Sequence, residues 1–162
     1  MTPHYLEDFA VGQVYGSGAV LVDPAAVKAF AAEFDPQPFH LDEAAAGKSM
    51  FGGLAASGWH TAALTMKLLV GGDLRPAGGI IGAGGDELRW PRPTRPGDVL
   101  TCTSEILEVR PSARRPDQGL IKVRTTTLNA RGEPVQVLTM NLIVQRRPAP
   151  SPGDGEAGAS PA

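Results

Sequence analysis

The rhythm of apolar positions changes at about residue 79: before it they recur at helical spacing, and after it they tend to alternate. In "DPAAVKAFAAEF" (23–34), Val27, Phe30 and Phe34 share one helical face. Asp23 stands at the N-cap and Pro24 at the first helical position. Pro36 disfavours helical geometry at Asp35, which predicts an end to this helix near Phe34 and puts Asp35 and His40 on a connecting loop. A short second helix is predicted over 42–46, stopped by Gly47. The longest helical signal, "SGWHTAALTMKLLV" (57–70), is apolar on nearly every side, and such a helix is enclosed by other structure.

Residues 13–22, "QVYGSGAVLV", predict a first strand. After residue 79, "GIIGAGGDELRW", "DVLTCTSEILEV", "GLIKVRTTTLNA" and "EPVQVLTMNLIVQ" are rich in β-branched residues, and "NARGEP" joins the last two as a hairpin. One long buried helix followed by several consecutive strands predicts an α+β layer fold with an antiparallel sheet covering a helix.

Composition narrows this picture without redirecting it. The 162 residues suit one domain, predicted over 1–147. Residues 148–162 are rich in Pro, Gly, Ala and Ser, cannot bury enough surface to offset their ordering entropy, and are predicted to form a disordered tail. A net charge of −2 with interspersed signs leaves no footprint for nucleic acid. The longest apolar stretch, 54–70, is interrupted by Ser57, His60 and Lys67 and reads as a buried helix, not a membrane span. "MTPHYLEDF" lacks the basic and apolar regions of a signal peptide, so a cytoplasmic location is expected. The lone Cys102 excludes an internal disulfide and reads as a buried strand residue. Three histidines far apart in sequence give no metal-ligand spacing.

The chemistry concentrates in "FDPQPFHLDEAAAGK" (34–48), where Pro36 and Pro38 restrict the chain between a carboxylate, Asp35, and an imidazole, His40. "GAGGDE" (82–87) runs into "LRWPRP", which cannot open a helix, so a dinucleotide-binding reading fails. Ser57 has no Gly-x-Ser-x-Gly elbow around it and reads as an N-cap whose hydroxyl reaches the amide of His60, not as a nucleophile.

Three elements, in order over about 30–110, give the chain its resemblance to the MaoC-like dehydratases and (R)-specific enoyl-CoA hydratases. These are Asp35-Pro36-Gln37-Pro38-Phe39-His40, Ser57-Gly58-Trp59, and the run from Trp90 through Pro91, Pro93 and Pro96 to Gly97-Asp98. Two positions depart from the family pattern: Gln37 stands where Asn is usual, and Ser57 where His is usual. The resemblance implies a hot-dog fold, a curved antiparallel sheet wrapped around a long central helix. It also implies hydration of a 2-enoyl-CoA, or the reverse dehydration of a 3-hydroxyacyl-CoA, with Asp35 and His40 sharing one water.

Adding water to an enoyl thioester requires proton transfer at both carbons and a donor for the charge developing on the thioester oxygen. The N–H of Gly58, at the positive end of the buried helix, is the candidate donor. Gln37, Ser57, Trp59, Arg89 and Arg92 are candidate substrate contacts, and Arg95 is a further candidate for the phosphates of coenzyme A. No cofactor beyond the substrate's own coenzyme A is expected, and the family's habit implies a homodimer. Two other readings stay open: an acyl-CoA thioesterase on the same fold, and an acyl-CoA-binding module without turnover.

Overall fold

A computed structural model describes residues 2–150. Helix α1 (Pro24–Phe34) begins as its sequence dictates, with the Asp23 carboxylate accepting from the Ala26 N–H at 3.0 Å and Pro24 in the first turn. It ends at Phe34, where Asp35 leaves the helical region (φ −151°, ψ 66°). Its inner face differs from the predicted one: Val27 and Ala31 are buried, whereas Phe34 is 64% exposed. Phe30 is half-buried because it stacks on the ring of His60, with centroids 4.7 Å apart and an interplanar angle of 9°.

The segment predicted as a loop is tighter than that. Pro38 starts a one-turn helix, α2 (Pro38–Leu41), which carries His40, so only Asp35 lies outside a helix. Proline's fixed φ suits the first helical position and offsets part of the entropy of so short a turn. Helix α3 (Glu43–Gly47) follows directly, with the Asp42 carboxylate capping the Ala45 N–H at 2.7 Å. The long helix, α4 (Gly58–Gly71), is capped by Ser57, whose hydroxyl accepts from Trp59 at 3.3 Å and not from His60.

Six strands form one antiparallel sheet. The predicted first strand divides into β1 (Val14–Gly16) and β2 (Val20–Leu21), both paired with β4 (Val99–Pro111). The break is satisfied by a side chain: the Ser17 hydroxyl accepts from the Cys102 N–H at 2.8 Å, in place of a ladder carbonyl. With β3 (Ile81–Arg89), β5 (Gln118–Leu128) and β6 (Pro134–Gln145), the order is β1-β4-β5-β6-β3.

β5 alternates strictly. Gly119, Ile121, Val123, Thr125 and Thr127 are buried, and the residues between them are half-buried or exposed. Of these, Ile121 and Val123 join Leu68 and Leu69 of α4 in one apolar core with Leu100, Cys102 and Ile106, and burial pushes the Cys102 thiol pKa up. A curved sheet wrapped over one long helix is the hot-dog architecture. The wrap covers one side only: along α4, Trp59 (61%) and Val70 (65%) are exposed, with Ala63 and Lys67 between them.

At the C-terminal end Arg146 pairs with Glu7 and Arg147 with Asp8, fastening the end of β6 to the N-terminal segment. Residues 148–150 are exposed without regular structure, and the rest of the predicted tail lies outside the described residues. No helix among them is long and apolar enough to cross a membrane.

Candidate active site

Asp35 and His40 meet because the turn between them closes on itself. The Gln37 N–H donates to the Asp35 carbonyl at 2.7 Å, and the His40 N–H donates to the Gln37 carbonyl at 3.0 Å. The result is a 3.2 Å contact between Asp35 Oδ2 and His40 Nε2, with the imidazole almost fully buried and the carboxylate nearly so.

The other imidazole nitrogen, Nδ1, lies 2.7 Å from the Ala55 carbonyl. A carbonyl only accepts, so Nδ1 carries a proton; Nε2 then presents a lone pair in the neutral ring and a second N–H in the charged one. Two acceptors at 3.2 Å require either a shared proton or a donor held against both of them. A water molecule meets the second requirement.

Asp35 is itself held from behind. The Gln37 side-chain amide donates to Oδ1 at 2.6 Å. Burial raises the Asp35 pKa, but the Ser57 and Gln37 hydrogen bonds and the charge of His40 outweigh it, and the net shift is below the ordinary value. Of the two departures from the family motif, Gln37 therefore bonds this carboxylate directly, and Ser57 helps to lower its pKa.

Gly58 is the first residue of α4, and its N–H has no intrahelical partner. A Cβ there would stand 2.6–2.8 Å from the indole of Trp90, so only glycine lets this ring lie against the helix start. Asp35, His40 and Gly58 all line one cavity of about 490 Å³, together with Gln37, Trp59 and Arg92.

The remaining sequence candidates fall elsewhere. Ser57 is fully buried behind the cavity wall and reaches the site only through Asp35. Arg89 is outside the lining and pairs with Glu87 at 3.3 Å. Arg95 is a clamp, not a free cation: it donates to the carbonyls of Gly53 and Leu54 at 2.9 and 3.2 Å, and to that of Phe51. It thereby holds the segment that supplies the Ala55 carbonyl to His40. Among the described residues, no three His, Cys, Asp or Glu side chains gather as a metal site requires.

Sequence reasoning missed several lining residues, including Thr61, Thr94 and Phe51. It also missed a buried polar chain behind them. The Trp90 indole N–H donates to Gln136 Oε1 at 2.9 Å, and Gln136 Nε2 donates to Thr65 Oγ1 at 3.0 Å. The only advance signal was polar residues at inward positions of β5 and β6.

A sheet wrapped over a long helix, whose first residue lines one cavity with a carboxylate–imidazole pair, defines a hot-dog protein with a candidate site at the helix start. The chain belongs to the MaoC like domain family, whose model matches residues 8–128. It is 57% identical to a MaoC-like dehydratase from Rhodospirillum rubrum of known structure, with a TM-score of 0.87 over 90% of this chain and 99% of that one. It is similar, at 26% identity and a TM-score of 0.64, to the (R)-hydratase from A. caviae involved in PHA biosynthesis, over 88% of this chain and 99% of that one. An uncharacterized Bacillus subtilis protein, YdeM, shares 30% identity over 141 residues, 87% of this chain and 99% of its own. These likenesses support a hydratase or dehydratase role.

Proposed function

We propose that the protein is an acyl-CoA hydro-lyase: it adds water (R)-specifically across the double bond of a 2-enoyl-CoA, and in reverse dehydrates a 3-hydroxyacyl-CoA. The convergence of Asp35, His40 and the start of α4 on one cavity carries this reading. Water held between Asp35 Oδ2 and His40 Nε2 loses one proton to the pair as its oxygen bonds to the β-carbon. The pair returns one proton to the α-carbon, so atoms balance and no group leaves. The Gly58 N–H faces the thioester oxygen, where charge develops between these two events. A fixed donor of this kind contributes on the order of 3–4 kcal/mol, and general acid–base catalysis on the order of 10²–10⁴-fold. Trp59, Gln37 and Arg92 at the rim contact the substrate, and the reaction draws on no metal or redox cofactor. The working form is a homodimer, since exposed apolar positions on α4 and the free edge of β3 suit a second copy.

The test is a panel of 2-enoyl-CoA substrates, followed by loss of the conjugated double bond and by the configuration of the product. Wild type is expected to form the (R)-3-hydroxy thioester. Asp35→Asn and His40→Ala are each expected to lose at least about a hundredfold in turnover while keeping the fold. Near-normal turnover in either folded variant would refute the assignment, and release of free thiol instead would place the protein among the hydrolases.

A further inference from the structure

Two hydroxyl groups are among the most buried parts of the cavity lining. Its most buried lining residues are His40, Ala56, Thr61 and Thr94, whereas Met50, Trp59 and Trp90 at the mouth are exposed. The Thr61 hydroxyl donates to Thr94 Oγ1 at 3.0 Å, so the floor is a hydrogen-bonded pair joining α4 to the loop before β4.

The space behind that floor is filled. Thr65 lies one turn further along α4, and its hydroxyl donates to the Thr61 carbonyl at 2.9 Å. That uses its one proton, so Thr65 Oγ1 accepts from Thr127, at 2.7 Å, and from Gln136. Thr127 and Gln136 are cross-strand partners on β5 and β6, and all three side chains are fully buried.

A tail extending inward along α4 would thus meet first the Thr61–Thr94 pair and then a layer whose donors and acceptors already satisfy one another. An alkyl chain offers neither a donor nor an acceptor, so displacing any member strands its partner away from water.

We propose that this polar layer is the closed end of the acyl site and confines the enzyme to short-chain 2-enoyl thioesters. The proposal rests on the hydratase reading above and adds the substrate class to it. Thr61 and Thr94 set the depth of the site; Thr65, Thr127 and Gln136 keep them in place.

The experiment compares kcat/KM for crotonyl-, 2-hexenoyl- and 2-dodecenoyl-CoA. Wild type is expected to prefer crotonyl- over 2-dodecenoyl-CoA by at least about a hundredfold, and Thr61→Ala to raise the 2-hexenoyl to crotonyl ratio about tenfold. Thr61→Ser removes only a methyl group and keeps the hydroxyl, so it reports a smaller shift in the same direction should the alanine variant fail to fold. Equal use of all three chain lengths by wild type would overturn the closed end and leave the hydratase reading standing. If no thioester is hydrated, calorimetry with butyryl- and dodecanoyl-CoA decides between them. Tighter binding of butyryl-CoA sustains the closed end while the hydratase reading falls; equal or tighter binding of dodecanoyl-CoA, or binding of neither, overturns the proposal.

Discussion

At the scale of single residues, the decisive feature is how the Asp35 carboxylate stays charged although mostly buried. Burial alone would favour its protonated form, and donors from Ser57 and Gln37 with the charge of His40 reverse that preference. A carboxylate whose folded pKa lies below its ordinary 3.8 contributes stability that is complete above that value and is lost as pH falls through the folded one. Followed directly by its carboxyl chemical shift, Asp35 should therefore titrate below 3.8 wherever the fold survives. Ser57→Ala removes one of the groups that lower it and is expected to move that titration upward. The same change deletes the cap of α4 and costs about 1 kcal/mol of stability, measurable by denaturant titration. A titration that stays in place in the folded variant would show that Ser57 serves the helix alone.

Among the elements, α4 carries both the proposed oxyanion donor at its start and the tie to α1 behind it. Gly58→Ala would drive a methyl group into the Trp90 ring, so the indole must leave its hydrogen bond to Gln136. The expected outcome is a loss of about 1–3 kcal/mol in stability with a red-shifted Trp90 emission in a Trp59→Phe background. Emission unchanged from the parent would mean that the ring had not moved. Behind the site, His60 stacks on Phe30 with Nδ1 buried and without a partner among the described residues, and burial pushes its pKa down from 6.5. A histidine with a depressed folded pKa binds more protons when unfolded, so it costs stability as pH falls below 6.5, until its folded pKa is reached. His60→Phe is expected to flatten that part of the stability curve, as followed by thermal unfolding between about pH 7 and pH 5.

What was legible in the chain follows the same division by element. The caps Asp23 and Ser57, the stop before Pro36 and the alternation of β5 are local, and each was readable from a few neighbouring residues. So was the Asp35–His40 spacing. The role of Arg95, more than 40 residues from the carbonyls it holds, was not, because no local pattern encodes such a pairing. The Thr65–Gln136 contact escaped for the same reason, as did the split of the first strand at Ser17.

For the whole molecule, the surface left open by one copy is the informative part. The pattern of α4 called for enclosure on every side, yet Trp59, Ala63 and Val70 remain exposed at intervals of four and seven residues along it. Independently, β3 is an edge of the sheet. Its residues 81–86 are all exposed, Ile81 among them, and its outer edge has no strand partner among the described residues. An exposed edge with apolar residues is a template for another strand, and natural proteins cover or charge such edges. A second copy would cover both surfaces, enclosing α4 in the way its sequence demands. Light scattering is expected to give about twice the 16.9 kDa chain mass. Val70→Asp with Ile81→Lys should shift the population towards the single chain, by placing charge on both surfaces. Neither residue lines the cavity, so a fall in activity that tracks dissociation and recovers at high protein concentration would tie the rim of the site to the partner. A single chain in wild type with full activity would leave both surfaces without an occupant and the enclosure of α4 unexplained.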